Sequence, residues 1–151
     1  MSRDDLRDLV FLDMAEAVSR LATCNRLHVG AVIVNARRKI VSTGYNGAPG
    51  GHPHCDDVGH RLIDNSCLRT IHAESNAVSQ AHEDRRDTQG STLYCTHMPC
   101  SDCARDIIRA SIVRVVYSYK FLGAEPKETM DLFEAAGIEL VQLEREWTSH
   151  G

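Results

Sequence analysis

The stretch "TIHAESNAV" (residues 70–78) has the pattern of a helix start and carries two polar groups two positions apart, His72 and Glu74. Thr70 is a suitable N-cap, and the apolar residues that follow are spaced for a helix that runs to about residue 82. Histidine and glutamate are ordinary residues on a solvated helix face. Whether His72 and Glu74 have a functional role therefore depends on the other motifs in the chain.

A second stretch, "MPCSDC" (residues 98–103), places two cysteines three positions apart directly after a proline. Proline opens a helix without losing a hydrogen bond, so Pro99 predicts a helix over about residues 100–110. Cys100 and Cys103 then share one helix face, and the helix N-terminus stabilises the thiolate form that binds metal. By itself such a pair could also be a redox motif or half of a structural zinc site rather than part of a catalytic one.

Together the two stretches supply three metal ligands, His72, Cys100 and Cys103. Two thiolates and one imidazole leave the fourth position of a tetrahedral zinc open to water, which is the mark of a catalytic site. Glu74 beside that water can carry protons. The combined pattern H-x-E…P-C-x-x-C is the signature of zinc deaminases. For a cytosine ring it predicts attack at C4, protonation of N3 by Glu74 and loss of ammonia.

The remaining periodicity predicts an α/β chain. Apolar residues recur at helical spacing over residues 4–22, and the runs "VGAVIVN" (29–35) and "KIVSTGY" (39–45) predict an antiparallel hairpin. Residues 46–68 have the composition of a loop. Three later strands, "STLYCT", "IVRVVYSY" and "IELVQL", alternate with helices, of which the last ends at Gly137. This alternation predicts parallel pairing late in the chain.

Composition limits the class of protein. A length of 151 residues predicts a single domain over residues 1–151, and a net charge of −4 without a basic patch disfavours general nucleic-acid binding. We expect no membrane span and no secretory signal, hence a cytoplasmic protein. In that reducing compartment the six cysteines are thiols or metal ligands rather than disulfides. Cys95, inside a predicted strand, is expected to pack as a small apolar residue.

Beyond these motifs, the chain resembles the deoxycytidylate (dCMP) deaminase family, in the compact bacterial and phage form related to the competence-operon protein. The matching stretches are "ATCNRLHVGAVIV", "STGYNGAPGG", "HCDDVGH", "CLRTIHAESNAV", "TLYCTHMPCSDCA" and "IVRVVYSY". Of these, "GYNGAPGG" distinguishes the dCMP deaminases from other deaminases, because the other motifs belong to the whole deaminase superfamily. The resemblance implies a three-layer cytidine-deaminase-like fold, with a five-stranded mixed sheet flanked by helices. It also implies hydrolysis of dCMP to dUMP, feeding dTMP synthesis in a bacterium or an infected host cell.

The resemblance further implies a set of substrate-binding residues. Asn46 matches an asparagine that contacts the sugar near the base, and Gly47 lets the backbone come close. Arg26 and His28 are candidates for the 5′-phosphate, where charge-assisted contacts would distinguish nucleotide from nucleoside. The expected set is completed by Ala73, Ser118 and Tyr119, of which Tyr119 resembles an active-site tyrosine of the family.

Regulation is implied in the same way. Family members are commonly activated by dCTP with Mg²⁺ and inhibited by dTTP, usually as hexamers. Their effector site involves the glycine-rich loop after the second strand. The effector-binding residues expected here are Asn46, Gly47, Ala48, Gly50, Gly51, Arg69 and Glu83.

The resemblance also implies a second, structural zinc ion. Cys24 and Cys55 align with ligands that some relatives use, and His60 stands where many close relatives carry a cysteine. With Cys67 they would form the Cys₃His set that zinc accepts, and His54 is the alternative to His60. Such a site would order a long loop that has no predicted secondary structure.

Two other classes of protein stay open at this point. The first is another zinc deaminase, acting on cytidine, cytosine, guanine or a tRNA adenosine. The net charge of −4 disfavours tRNA, and free-base or nucleoside enzymes have no need of a "GYNG" loop near Arg26. The second is a non-catalytic zinc-binding interaction module, which would need no acid/base group such as Glu74 beside its metal.

Overall fold

The computed structural model describes residues 1–23, 27–47, 62–63, 66–67, 72–119 and 126–144. No helix in this described part is both long enough and apolar enough to cross a membrane. In chain order the elements are α1 (Arg3–Ser19), β1 (Gly30–Val34), β2 (Ile40–Tyr45), β3 (Leu62–Ile63), β4 (Ser66–Cys67), α2 (Ala73–Glu83), β5 (Thr92–His97), α3 (Ser101–Arg109), β6 (Arg114–Tyr119), α4 (Pro126–Ala136) and β7 (Glu139–Gln142).

The main sheet has five strands in the order β2-β1-β5-β6-β7. Strand β1 runs antiparallel to both β2 and β5, whereas β5, β6 and β7 are parallel to one another. The predicted hairpin, the late parallel pairing and the mixed five-stranded sheet are therefore confirmed. Because β5 and β6 are parallel, their carboxyl ends meet at one edge of the sheet, where His97 lies opposite Tyr119.

Both faces of this sheet are covered, which explains why all five residues of β1 are buried. Helix α1 packs on one face, while α2 packs on the other, followed by α3 and α4. Successive strand side chains point to opposite faces. One set therefore packs with α1, namely Val32, Val34, Tyr94 and Val116. The other set packs with the remaining helices, namely Ala31, Ile33, Leu93, Cys95, Val115 and Tyr117.

Helix α2 lies directly on the backbone of β2 because the strand has no side chain at Gly44. A Cβ atom there would overlap the carbonyl oxygen of Ala73 and lie 2.5 Å from the nitrogen of Ala77. No neighbouring side chain can yield to relieve this overlap, because both atoms belong to the helix backbone. Gly44 thus sets the position of the first turn of α2.

Two predictions about the segment before α2 need correction. Residues 46–68 were expected to lack secondary structure, but β3 and β4 pair antiparallel, with Leu62 opposite Cys67 and Ile63 opposite Ser66. Strands of two residues are too short to show an alternating pattern. Helix α2 has His72 as its N-cap, so it begins at Ala73. Thr70, the predicted cap, lies outside the described residues.

Candidate metal centre and active site

The three predicted metal ligands stand at the N-termini of two helices. His72 is the N-cap of α2 and Cys100 is the N-cap of α3, with Cys103 in the first turn of α3. Neither N-cap side chain makes a capping hydrogen bond, so the imidazole and the thiol are both turned to other partners. The Nδ1 atom of His72 lies 3.4 Å from Sγ of Cys100 and 3.3 Å from Sγ of Cys103.

This arrangement fits a zinc ion. The ligand atoms of His72, Cys100 and Cys103 all lie within 4.8 Å of one another. In a tetrahedral site with Zn–N of about 2.1 Å and Zn–S of about 2.3 Å, an imidazole nitrogen and a thiolate sulfur are about 3.6 Å apart. The observed N···S distances are close to that value. Three such ligands can hold zinc and leave one position for water.

The three side chains also redistribute protons among themselves. Hydrogen bonds from Cys103 and His72 lower the pKa of the Cys100 thiol to about 4, although burial opposes the charge. The hydrogen bond to Cys100 raises the pKa of His72 to about 9. The pKa of Cys103 is raised, first because its thiol donates to Cys100 and second because it is buried. The hydrogen bonds within this group therefore favour the thiolate form of Cys100.

Glu74 lies beside this triad in the first turn of α2. Its side chain is buried, with 4 % of the residue exposed. Burial raises the pKa of the carboxyl group, while the positive charge of His72 acts in the opposite direction. Glu74 also interacts with Cys100 and Cys103, which places the carboxyl next to the metal ligands. A buried carboxyl group in such a position is suited to proton transfer.

Asn46, predicted to contact the sugar, uses its side chain to hold a neighbouring segment of backbone. Its Oδ1 accepts a hydrogen bond from the Val29 nitrogen at 2.7 Å, and its Nδ2 donates to the Leu27 oxygen at 2.5 Å. His28 lies between these two residues, so Asn46 holds the backbone on both sides of it. An amide has one further hydrogen and further lone pairs, which leaves capacity for a sugar hydroxyl.

The carboxyl edge of β5 and β6 carries an aromatic pair. The rings of His97 and Tyr119 have centroids 5.3 Å apart and are inclined by 47°. Side chains alternate between the two faces of β6, so Tyr119 points to the same face as Tyr117, which is the face of the metal centre. Ser118 points to the same face as Val116, toward α1. The structure thus brings Tyr119, and not Ser118, to the face that carries the triad.

Three residues of this region were not among the sequence-based candidates. His97 is buried, which lowers its pKa to about 4, and its Nδ1 lies 2.8 Å from the hydroxyl oxygen of Thr96. Its only sequence signal is its place three positions before Cys100. Ser75 and Asp106 contact each other across α2 and α3. Nothing in the local pattern distinguishes them from surface residues.

The other candidates are placed as follows. Ala73 is fully buried, backbone included. Gly47 is buried next to Thr23. Glu83 ends α2 and is exposed, about 15 Å along the helix axis from the metal end. Outside the described residues lie Arg26, Ala48, Gly50, Gly51, Arg69, Cys24, Cys55, His60 and the alternative His54, and of Cys67 only its place in β4 is described.

The chain is similar to several known proteins. The family model of the cytidine and deoxycytidylate deaminase zinc-binding region matches residues 6–119. ComE operon protein 2 of Bacillus subtilis is 41% identical over 134 residues, covering 89% of this chain and 69% of that protein. The deoxycytidylate deaminase of Mycobacterium phage D29 is 42% identical over 128 residues, covering 78% of this chain and 97% of that protein.

A solved structure shares the fold. The dCMP deaminase from the cyanophage S-TIM5, in complex with dCMP and dUMP, superposes with a TM-score of 0.79 at 29% sequence identity. The match covers 95% of this chain and 99% of that chain. The three-layer arrangement expected from the sequence, a five-stranded mixed sheet flanked by helices, is confirmed by this likeness.

Proposed function

The chain belongs to the cytidine and deoxycytidylate deaminase family, and from this premise we propose that it hydrolyses dCMP to dUMP and ammonia. The observation that carries the proposal is the convergence of His72, Cys100 and Cys103 beside the buried carboxyl of Glu74. The phage D29 relative is named for this activity, and the cyanophage structure holds dCMP and dUMP. We take the chain as a single deaminase domain.

The residues of the site have different roles in the reaction. His72, Cys100 and Cys103 would hold zinc, which when bound supplies a water molecule acidic enough to react at neutral pH. Glu74 takes the proton that the attacking water releases at C4 and delivers it to N3 of the cytosine ring. The same carboxyl then carries the remaining hydroxyl proton to the exocyclic amine. The C–N bond breaks, ammonia leaves, and a uracil ring remains.

The surrounding residues would orient the nucleotide. We assign the sugar to Asn46 and Gly47, with Tyr119 at the carboxyl edge of the sheet and Ala73 near the base. Arg26 and His28 are assigned to the 5′-phosphate. Support comes from the hydrogen bonds of Asn46, which hold the backbone on either side of His28. Ser118 stays a prediction from the resemblance alone.

The test of the function is ammonia release from dCMP by the zinc-loaded protein, set beside deoxycytidine, CMP and dCTP. We expect turnover of dCMP and much slower turnover of the nucleoside, because the nucleoside lacks the phosphate that Arg26 and His28 would bind. Equal turnover of deoxycytidine would refute the phosphate assignment. No turnover of dCMP by protein with bound zinc would refute the function itself.

We further propose regulation and assembly like those expected from the resemblance. These are activation by dCTP with Mg²⁺, inhibition by dTTP, a hexamer, a cytoplasmic location and a second zinc ion held by Cys24, Cys55, His60 and Cys67. Support comes from the glycine-rich "GYNGAPGG" loop and from the number of cysteines outside the catalytic triad. The same assay repeated with dCTP and Mg²⁺, native mass spectrometry and the zinc content of Cys55→Ser test these points separately.

A further inference from the structure

Ser75 connects the two helices that carry the metal ligands. It follows Glu74 on α2, and its hydroxyl donates a hydrogen bond of 2.7 Å to Oδ2 of Asp106 on α3. The same hydroxyl oxygen lies 3.4 Å from Sγ of Cys103, within hydrogen-bonding range for sulfur. Asp106 stands three residues after Cys103, on the same face of α3. One hydroxyl therefore touches a metal ligand and a carboxylate at once.

The chemistry of the three groups explains why this contact matters for a metal. A serine hydroxyl has one hydrogen and two lone pairs, so it can donate to only one of its two neighbours at a time. A carboxylate accepts strongly, and a thiolate ligand also gains from a hydrogen bond to its sulfur. Ser75 is partly buried, whereas the Asp106 side chain is 39% exposed and its Oδ1 lies 3.6 Å from the Arg109 guanidinium. Residues of this kind, in contact with metal ligands, influence metal affinity by about 10–100-fold.

We propose that Ser75 is a positioning residue that fixes Cys103 relative to His72 and Glu74. While Cys103 is a thiol, its S–H can donate to the Ser75 hydroxyl oxygen as that hydroxyl donates to Asp106; once zinc holds the thiolate, the hydroxyl hydrogen turns from Asp106 to the Cys103 sulfur. Through this contact the thiolate on α3 keeps its distance from the imidazole and the carboxyl on α2. The motif does not predict this role, since residue 75 is the variable position in the H-A-E-x-N-A pattern. The inference rests on the proposed function only in that the triad binds zinc, and it does not depend on which substrate is used.

The first experiment compares zinc affinity in Ser75→Ala with that in a matched control, Ser79→Ala. Ser79 lies on the same helix and is exposed, so its replacement removes a hydroxyl without touching the metal centre. We expect the zinc dissociation constant, measured by competition with a chelator, to rise about 10-fold or more in Ser75→Ala. The constant should stay at the wild-type value in Ser79→Ala.

The second experiment uses variants of equal shape and a spectroscopic readout. Threonine and valine at position 75 differ only in the hydroxyl group, so they separate its effect from that of packing, even if Ser75→Ala does not fold. We expect Ser75→Thr to retain zinc affinity and Ser75→Val to lose it. With Co²⁺ in place of zinc, the thiolate-to-metal charge-transfer band should shift in Ser75→Val and not in Ser75→Thr.

Asp106→Ala tests which neighbour receives the Ser75 hydroxyl hydrogen when zinc is bound. Because Asp106 competes for that hydrogen, the variant should bind zinc at least as tightly as the wild type, whereas the double variant with Ser75→Ala should bind as weakly as Ser75→Ala alone. Equal zinc affinity and an unchanged cobalt spectrum in the Thr and Val variants would overturn the proposal. Protein that binds zinc as described but does not deaminate dCMP would instead refute the proposed function and leave this inference standing.

Discussion

Two residues that replace the usual helix caps illustrate how the site is built at the scale of single residues. Helix N-caps are preferentially Ser, Thr, Asp or Asn, because their side chains bond the free backbone N–H groups. Here the N-caps of α2 and α3 are instead His72 and Cys100, whose side chains make no capping hydrogen bond. The helix N-terminus favours a thiolate, so the two helices present their positive ends to the ligands rather than to a cap.

The role of Glu74 leads to the first prediction. Glu74→Gln keeps the size of the side chain but removes its ability to carry a proton. We expect kcat for dCMP to fall by about 10²–10⁴-fold, the range for loss of a general acid/base. The zinc content should stay unchanged, because Glu74 is not a ligand in this assignment. Ammonia release and metal analysis on the same sample check both parts, and full activity in this variant would contradict the mechanism.

A pair of cysteines gives the second prediction. Cys95 is fully buried in β5, and its thiol lies 3.8 Å from the Val116 oxygen, beyond the reach of a shorter serine hydroxyl. Cys95→Ser should therefore lower the free energy of unfolding by about 1–3 kcal/mol, the cost of a buried unsatisfied polar group, and leave zinc binding intact. Cys103→Ser should lose zinc binding. Urea unfolding and zinc titration of both variants provide the measurement, with each variant serving as control for the other.

At the scale of elements, the close approach of α2 to β2 controls the geometry of the site. The absence of a side chain at Gly44 lets the backbone of the first helical turn touch the strand. That turn carries Glu74 and follows His72. The distance between α2 and β2 therefore determines the positions of the proposed ligand His72 and the proposed proton carrier Glu74.

The third prediction concerns Gly44→Ala. The added methyl group would overlap the Ala73 carbonyl oxygen, so the first turn of α2 must move away from the strand. We expect the free energy of unfolding to fall by about 1–3 kcal/mol or more, as at other overpacked sites. Zinc binding should also weaken. Thr43→Ala, at an exposed position on the same strand, is the control and should keep zinc affinity. Zinc affinity equal to that of the control would show that α2 tolerates the shift.

At the scale of the whole molecule, the sheet separates a structural face from the face with the metal centre. On the α1 side, Arg114 of β6 donates to both oxygens of Asp8 at 2.8 Å, and the Tyr94 hydroxyl donates to Asp8 at 2.7 Å. This cluster joins the first helix to two central strands. It contains no residue assigned to the reaction, so it contributes to stability alone.

The fourth prediction follows from the pKa of Asp8. Burial opposes its charge, but hydrogen bonds from Arg114 and Tyr94 outweigh burial and hold the pKa below its usual value. A lowered pKa in the folded state means that the stabilisation is complete above the unfolded-state pKa of about 4 and is lost as pH falls through the folded-state value. Asp8→Asn should therefore cost about 2–3 kcal/mol at pH 7, and less at pH 3.

Urea unfolding of the wild type and Asp8→Asn at both pH values measures this effect. Asp5→Asn is not a neutral control, because Asp5 takes part in the capping box of α1. Asp84→Asn, beyond the end of α2 and exposed, is the better choice. A difference between wild type and Asp8→Asn that does not depend on pH would show that packing, rather than charge, gives Asp8 its effect.

The sequence by itself determined the fold class and the candidate metal-binding triad. Zinc deaminase chemistry requires particular residue types at short fixed spacings, and these are visible locally in "HAE" and "PCSDC". The strands of the main sheet and the helices show their own periods, and the predicted parallel and antiparallel pairings follow from their order.

Only the tertiary structure decided which distant residues meet. Asp8 and Arg114 are 106 positions apart, and Ser75 and Asp106 are 31 positions apart. No local period reports such contacts, because they depend on how helices and strands pack against one another after they form. The same holds for Gly44, whose lack of a side chain matters only because α2 lies on it, and for Asn46, whose amide holds a segment seventeen residues earlier.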